Sequence, residues 1–298
     1  MELRKKTKKK NYHEPFNWRK EVRLLPGYIL LLIWLVFTVS MIGWILAASL
    51  STSGSIFKGE VFKSLLTGFD NWHFENYVTA WTTQHVSVYF MNSLIYATTS
   101  MVLLILACAP AAYVLARFTF LGNGVIKTGF VTAMSLPQIM IILPLLSITT
   151  RLHLTGSRVL LIFLYVAINI PYTTTFLINF FATLSRAYEE AAAIDGCSPI
   201  MTFWRIMFPL AQPGIITVSI FNFLAIWNEY FMSLVFASTD SKRSVGVGLY
   251  TIISALKQTG DYGGLFAAVM IVFLPTFVLY LLLSEKIIAG VTGGGVKG

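Results

Sequence analysis

The chain of 298 residues is 56% hydrophobic and 12% charged, about half the charged fraction of an ordinary soluble domain. Its formal net charge is +9, yet the charges are gathered between long neutral runs rather than scattered. This excludes a soluble globular fold, and it argues against a nucleic-acid-binding surface, which needs its basic residues spread along one face.

In chain order, a polar basic tail over residues 1–24 comes first. The neutral runs follow: Leu24 to Phe57, Val86 to Ala116, Thr128 to Thr150, Val159 to Ser185, Ile206 to Asn228 and Tyr262 to Ser284. Each reaches the roughly 20 residues that cross a hydrocarbon core of about 30 Å. Backbone in lipid must satisfy its own hydrogen bonds, so the expected fold is all-α and polytopic, with six transmembrane helices. The first run is far longer than the roughly 7–15 residues of a signal-peptide core, and an uncleaved span is expected. The expected organisation is a tail over 1–24, a six-helix membrane domain over 25–288 with a polar loop at 186–209, and a tail over 289–298.

With the N-terminus inside, fifteen Lys and Arg fall on the inner side and seven on the outer. This asymmetry predicts both termini in the cytoplasm. The N-terminal lysines then face anionic headgroups of the lipid bilayer, and no nucleic acid is expected as a partner. Trp72, Phe74, Tyr77 and Trp81, in the first outer loop, suit a membrane interface, and residues 237–262 are expected as an outer loop. Pro110, Pro137, Pro144, Pro171, Pro213 and Pro275 fall inside spans, which favours a bundle that moves around a cavity. Cys108 and Cys197 are small packing residues in this reading. The four histidines are dispersed, so no metal site is expected, and "GGGVKG" lacks the Ser or Thr and the helix of a phosphate loop.

The loop between the fourth and fifth spans, "EEAAAIDGCSPIMTFWRIMFP", is polar and patterned. Arg186 to Asp195 reads as a helix with Glu189 and Glu190 at its start, where the helix dipole favours acids. Gly196 suits a left-handed helix end, Ser198 an N-cap, and Pro199 the first position of a second helix. That second helix places Ile200, Phe203, Trp204 and Met207 on one face. Two readings stand: a lever that fits a groove on a soluble partner, or an amphipathic connector lying on the membrane.

The same residues resemble the EAA motif of ATP-binding-cassette importer permeases. Glu190, Ala191, Ala192, Gly196, Ile206 and Pro209 fall on its pattern, with Phe208 where the pattern has Leu. "NSLIYATTS", "AAYVLARFTFLG", "FLAIWNEYFMSLVF" and "AGVTGGGVKG" extend the resemblance to the maltose-type carbohydrate branch. The resemblance implies a non-catalytic permease subunit of a carbohydrate importer in a bacterial inner membrane. It implies as partners a second permease subunit, two ATPase subunits and a sugar-binding protein. ATP and Mg then belong to the ATPase, and this chain binds no cofactor. The ATPase-coupling residues become Glu189, Glu190, Ala191, Ala192, Asp195, Gly196, Ile206 and Pro209, and the tail Gly294 to Gly298 reaches toward the ATPase pair.

Polar groups at membrane depth generally face a bundle interior or a cavity. Asn222, Trp227, Asn228, Glu229 and Tyr230 are therefore candidates for the substrate pathway, with Trp227 and Tyr230 able to stack on a sugar ring. The alternative is that Glu229 makes an interhelical hydrogen bond and the two aromatics form an interface belt. A proton-coupled secondary transporter using Glu229 is the rival function.

Overall fold

The computed structural model describes residues 18–293. The tail lysines and the Gly294–Gly298 segment lie outside the described residues. No strand occurs among the described residues. The helices are α1 (Trp18–Ser49), α2 (Ser53–Phe57), α3 (Val61–Leu66), α4 (Glu75–Thr82), α5 (Val86–Arg117), α6 (Asn123–Met134), α7 (Gln138–Arg151), α8 (Arg158–Thr183) and α9 (Ala187–Ile194). Then come α10 (Pro199–Thr202), a π-helical turn (Phe203–Met207), α11 (Phe208–Leu210), α12 (Gln212–Trp227), α13 (Phe231–Phe236), α14 (Val245–Thr259) and α15 (Tyr262–Gly293).

Four of the six expected spans are single helices, and two are broken. The third bends by 97° between α6 and α7, and the fifth by 72° between α11 and α12. The first break has a local cause: Pro137 holds φ −61° and ψ 122°, and a proline disfavours helical backbone at the residue before it. Helix boundaries also move outward from the expected ones. α1 already starts at Trp18 and α15 runs to Gly293, past the neutral runs at both ends of the chain.

The core is built on α5 and α8. One face of α5 carries Ser93, Ala97, Ser100, Cys108 and Ala112, all at most 1% exposed. Small side chains at these helical spacings let two backbones approach closely in lipid. Cys108 is thus a packing residue, its thiol pointing at the Ile170 carbonyl 4.0 Å away. Tyr96, Leu104, Leu161, Leu177, Phe181 and Met207 fill the contact.

Three contacts fix the antiparallel register of α12 on α8. The Tyr165 hydroxyl donates to Glu229 Oε2 at 2.9 Å. Asn222 Nδ2 donates to Thr173 Oγ1 at 2.9 Å. At the third, the Phe180 ring lies so close over Gly214 that a Cβ there would overlap it. The partners sum to nearly the same number, as a straight antiparallel pair requires.

Residues 237–262, expected as a loop, contain α14. Its Val245, Gly248, Ile252 and Leu256 are buried against Tyr89, Trp227 and Ala268. The first outer loop is likewise a cap of short helices over α15. Of its aromatics, Trp72 donates to the Leu65 carbonyl at 3.1 Å, the Tyr77 hydroxyl pairs with Ser49 at 2.6 Å, and Trp81 meets Phe90 edge-on at 5.5 Å. These rings pack within the fold, while Phe74 is exposed.

Candidate functional site: the polar loop and the far end of the bundle

The loop adopts the helix–turn–helix its residues predict. α9 ends in a Schellman closure: Gly196 sits at φ +78°, its N–H donates to Ala193 O at 3.1 Å, and the Cys197 N–H donates to Ala192 O at 2.9 Å. Only glycine takes that backbone at no cost. Ser198 then caps the next turn, its hydroxyl accepting from the Met201 N–H at 3.3 Å, with Pro199 at the first helical position.

The second helix departs from the expected one. Residues 203–207 widen into a π turn, in which the Phe208 N–H reaches back to Phe203 O. Pro209 supplies the reason: its ring would collide with a carbonyl one regular turn earlier, and a wider turn moves that carbonyl away. The expected single apolar face is also divided. Phe203 and Met207 enter the core at 4% and 0% exposure, whereas Ile200 and Trp204 remain 74% and 45% exposed. Those two line an open apolar groove of about 350 Å³ with Pro110, Tyr113, Val114 and Phe118.

The adjacent acids face opposite ways. Glu189 turns inward to Arg117, Oε1 to Nε at 3.3 Å, with the two side chains 20% and 6% exposed. Arg117 also donates from Nη2 to the Leu184 carbonyl at 2.7 Å. Glu190, Ala191, Asp195 and Pro209 are exposed, Ile206 is half-buried and Ala192 is buried. The outward edge therefore presents two carboxylates, small residues and a tight turn. Arg117 has one signal in the sequence, that of a lone cation closing a neutral run.

The far-end candidates do not form one cluster. Asn222 is 1% exposed and bound to Thr173, so it cannot face a pathway. Trp227, also 1% exposed, is stacked on Phe223 at 5.8 Å and edge-on to Phe90 at 5.1 Å. It offers no ring face to a sugar. Glu229 Oε1 accepts the Met232 N–H at 2.6 Å and Oε2 the Ser233 N–H at 3.2 Å. With the Tyr165 hydroxyl, these contacts make Glu229 the cap of α13 and a tie to α8, as the interhelical alternative anticipates. Asn228 is exposed, its amide turned to Leu224 O at 2.8 Å. Tyr230 is half-buried, edge-on to Tyr250 at 6.3 Å. Among the described residues no group of His, Cys, Asp and Glu could hold a metal.

Residues 108–286 match the family of binding-protein-dependent transport system inner membrane components. The diacetylchitobiose uptake system permease protein NgcG of Streptomyces coelicolor is 34% identical over 268 residues, covering 90% of this chain and 87% of that one. The trehalose/maltose transport system permease protein MalG of Thermococcus litoralis is 31% identical over 227 residues, covering 75% and 81%. A chain from the crystal structure of a bacterial ABC transporter involved in import of the acidic polysaccharide alginate shares the fold. Its TM-score is 0.73 at 20% identity, over 91% of this chain and 99% of that one. The described fold and the matched residues agree: this chain belongs to the inner-membrane components of binding-protein-dependent transport systems, the non-catalytic permeases of ATP-binding-cassette transporters.

Proposed function

We propose that the chain forms one half of the translocation pathway of an ATP-driven importer of oligosaccharides, beside a second, different permease subunit. The observation that carries the reading is the exposed edge of Glu190, Ala191 and Asp195 next to the Gly196 turn. Such an edge fits a cleft on one of two ATPase subunits, the second permease subunit supplying the edge for the other. Relatives that bear diacetylchitobiose and trehalose/maltose in their names support a saccharide. The positive-inside asymmetry supports a bacterial inner membrane with both termini cytoplasmic, which puts α9 and α10 on the ATPase side. A sugar-binding protein delivers solute at the opposite face.

In this mechanism, ATP-driven closure of the ATPases draws the coupling elements together and tilts the spans from inward- to outward-facing. A bistable bundle biased by nucleotide state is sufficient. Glu190, Ala191, Asp195 and Gly196 make the contact, while Ala192, Ile206 and Pro209 shape the element behind it. Of the pathway candidates, Asn228 and Tyr230 keep access to solute. The rival use of Glu229 as a proton carrier loses its basis, since both carboxylate oxygens are engaged.

The test is co-purification of the tagged chain from its own membranes, followed by mass spectrometry. Recovery of a second multi-span permease and an ATPase is expected. Recovery of the chain alone, as a stable oligomer, overturns the reading.

A further inference from the structure

The coupling element is joined to the bundle by two loose covalent links. Toward α8 the chain passes through Leu184, which is extended at ψ 145°. Toward α12 it passes the π turn and the 72° bend. Neither link is a continuous helix, so neither is stiff. The tight grip comes instead from α5. Arg117 holds the Leu184 carbonyl at 2.7 Å and Glu189 at 3.3 Å. One turn back, the Tyr113 ring packs on Phe181 at 5.6 Å and on Phe203 at 5.2 Å.

The other end of α5 is gripped as firmly. Asn92 Nδ2 donates to the carbonyls of Ser241 and Arg243 at 2.9 and 3.0 Å. The Tyr96 hydroxyl donates to Lys242 O at 2.7 Å, and Ser93 Oγ accepts the Val245 N–H at 2.8 Å. Asn92, Ser93 and Tyr96 are all at most 3% exposed. Between these grips runs one helix, with Pro110 inside it, roughly 38 Å long at about 1.5 Å per residue.

We propose that α5 is a connecting rod: it carries the displacement of the coupling element to the 241–245 segment on the far face, where the solute enters. Arg117 and Glu189 fasten one end, Asn92 and Tyr96 the other, and all four act as positioning residues. The inference rests on the coupling role proposed above. It adds that the stroke travels along α5 rather than along the hinged α12.

The test uses the whole complex, permease pair, ATPases and binding protein, in proteoliposomes. Uptake of radiolabelled diacetylchitobiose and maltose is measured beside binding-protein-stimulated ATP hydrolysis. Glu189→Gln and Asn92→Ala are each expected to raise the ATP hydrolysed per solute about tenfold. The double variant is expected to be no worse than the worse single one, because both cut the same rod. Glu189→Asp restores much of the ratio. An unchanged ratio in Asn92→Ala, or effects that multiply, overturns the rod. A second measurement needs no solute and no disabled variant. Spin labels at exposed Ser185 and Thr239, in a Cys197→Ser background, keep their spacing between nucleotide-free and vanadate-trapped complexes. A change of a helical turn, about 5 Å, overturns the rod. ATP-independent uptake in the unaltered complex would instead overturn the importer reading and leave the label distances to decide the rod.

Discussion

Replacing Asn222 with Leu separates a packing role from a solute-contacting one. Asn222 gives its amide to Thr173 Oγ1 at 2.9 Å, and Thr173 in turn donates to the Asn169 carbonyl at 2.8 Å. Leucine keeps the volume and deletes one interhelical hydrogen bond. It strands no buried group, because Thr173 retains Asn169. Interhelical hydrogen bonds in membranes contribute about 0.6 kcal/mol and at most about 1.7 kcal/mol. For a chain of this size that lowers the thermal midpoint by about 1–5 °C. The complex carrying Asn222→Leu is assayed by thermal inactivation in detergent and by uptake in proteoliposomes. It is expected to be slightly less stable and to transport normally. Adding Thr173→Val changes the midpoint little further, since the hydroxyl it removes is by then bonded only to the Asn169 carbonyl of its own helix. Asn222→Asp, which buries a carboxylate at about 3 kcal/mol, sharply lowers the amount of assembled complex. A tenfold loss of uptake in Asn222→Leu with an unshifted midpoint would refute the packing role.

Gly196→Val forces a β-branched residue to φ +78°, a strain of about 1–2 kcal/mol, although nothing lies within 4 Å of the added Cβ. Uptake is expected to fall while ATP hydrolysis persists and the thermal midpoint drops by about 2–6 °C, and Gly196→Asn, which tolerates this backbone, preserves uptake. Trp227→Ala opens a cavity in the far-end core and costs about 3–5 kcal/mol, read in the same thermal assay. Trp227→Phe leaves the half-saturating solute concentration unchanged, and a marked rise would return the ring to the pathway. Tyr165→Phe costs about 1 kcal/mol and leaves uptake sensitive to ATP depletion and insensitive to a protonophore. Protonophore sensitivity would reinstate Glu229 as a proton carrier.

The sequence made the four unbroken spans legible because lipid imposes one simple rule on composition. It made the Gly196–Ser198–Pro199 turn legible because caps are local chemistry. The bends were hidden for the converse reason: a helix broken at Pro137 or at Ala211 has the same hydropathy as a straight one. The π turn arises from Pro209 acting on a carbonyl one turn back, and proline alone does not announce whether a helix kinks, ends or widens. α14 lies within the expected outer loop although Val245, Gly248, Ile252 and Leu256 keep helical spacing. Its polar neighbours and glycines masked that period. Asn222 and Trp227 mark the limit for site residues. Their side-chain types suit a sugar pathway, but only tertiary packing decides which way a residue on an apolar helix points.

The outer surface of α1 has a consequence for biogenesis. Its apolar window is 0% buried, and its ring contact to the bundle, Trp44 on Phe266 at 5.1 Å, is with α15. The cap that follows α1 is fastened late as well: the Tyr262 N–H donates to Ser53 Oγ at 2.9 Å across 209 residues of sequence. Phe57 meets Tyr262 edge-on at 4.7 Å. At about 5–20 residues per second, a ribosome needs roughly 10–40 s to pass from one partner to the other. Through that interval α1 is held in the bilayer by hydropathy, tied to the cap by Ser49 and Tyr77 but still without α15. The arrival of α15 closes the bundle, and quality-control proteases have that window in which to recognise a chain whose synthesis has stalled.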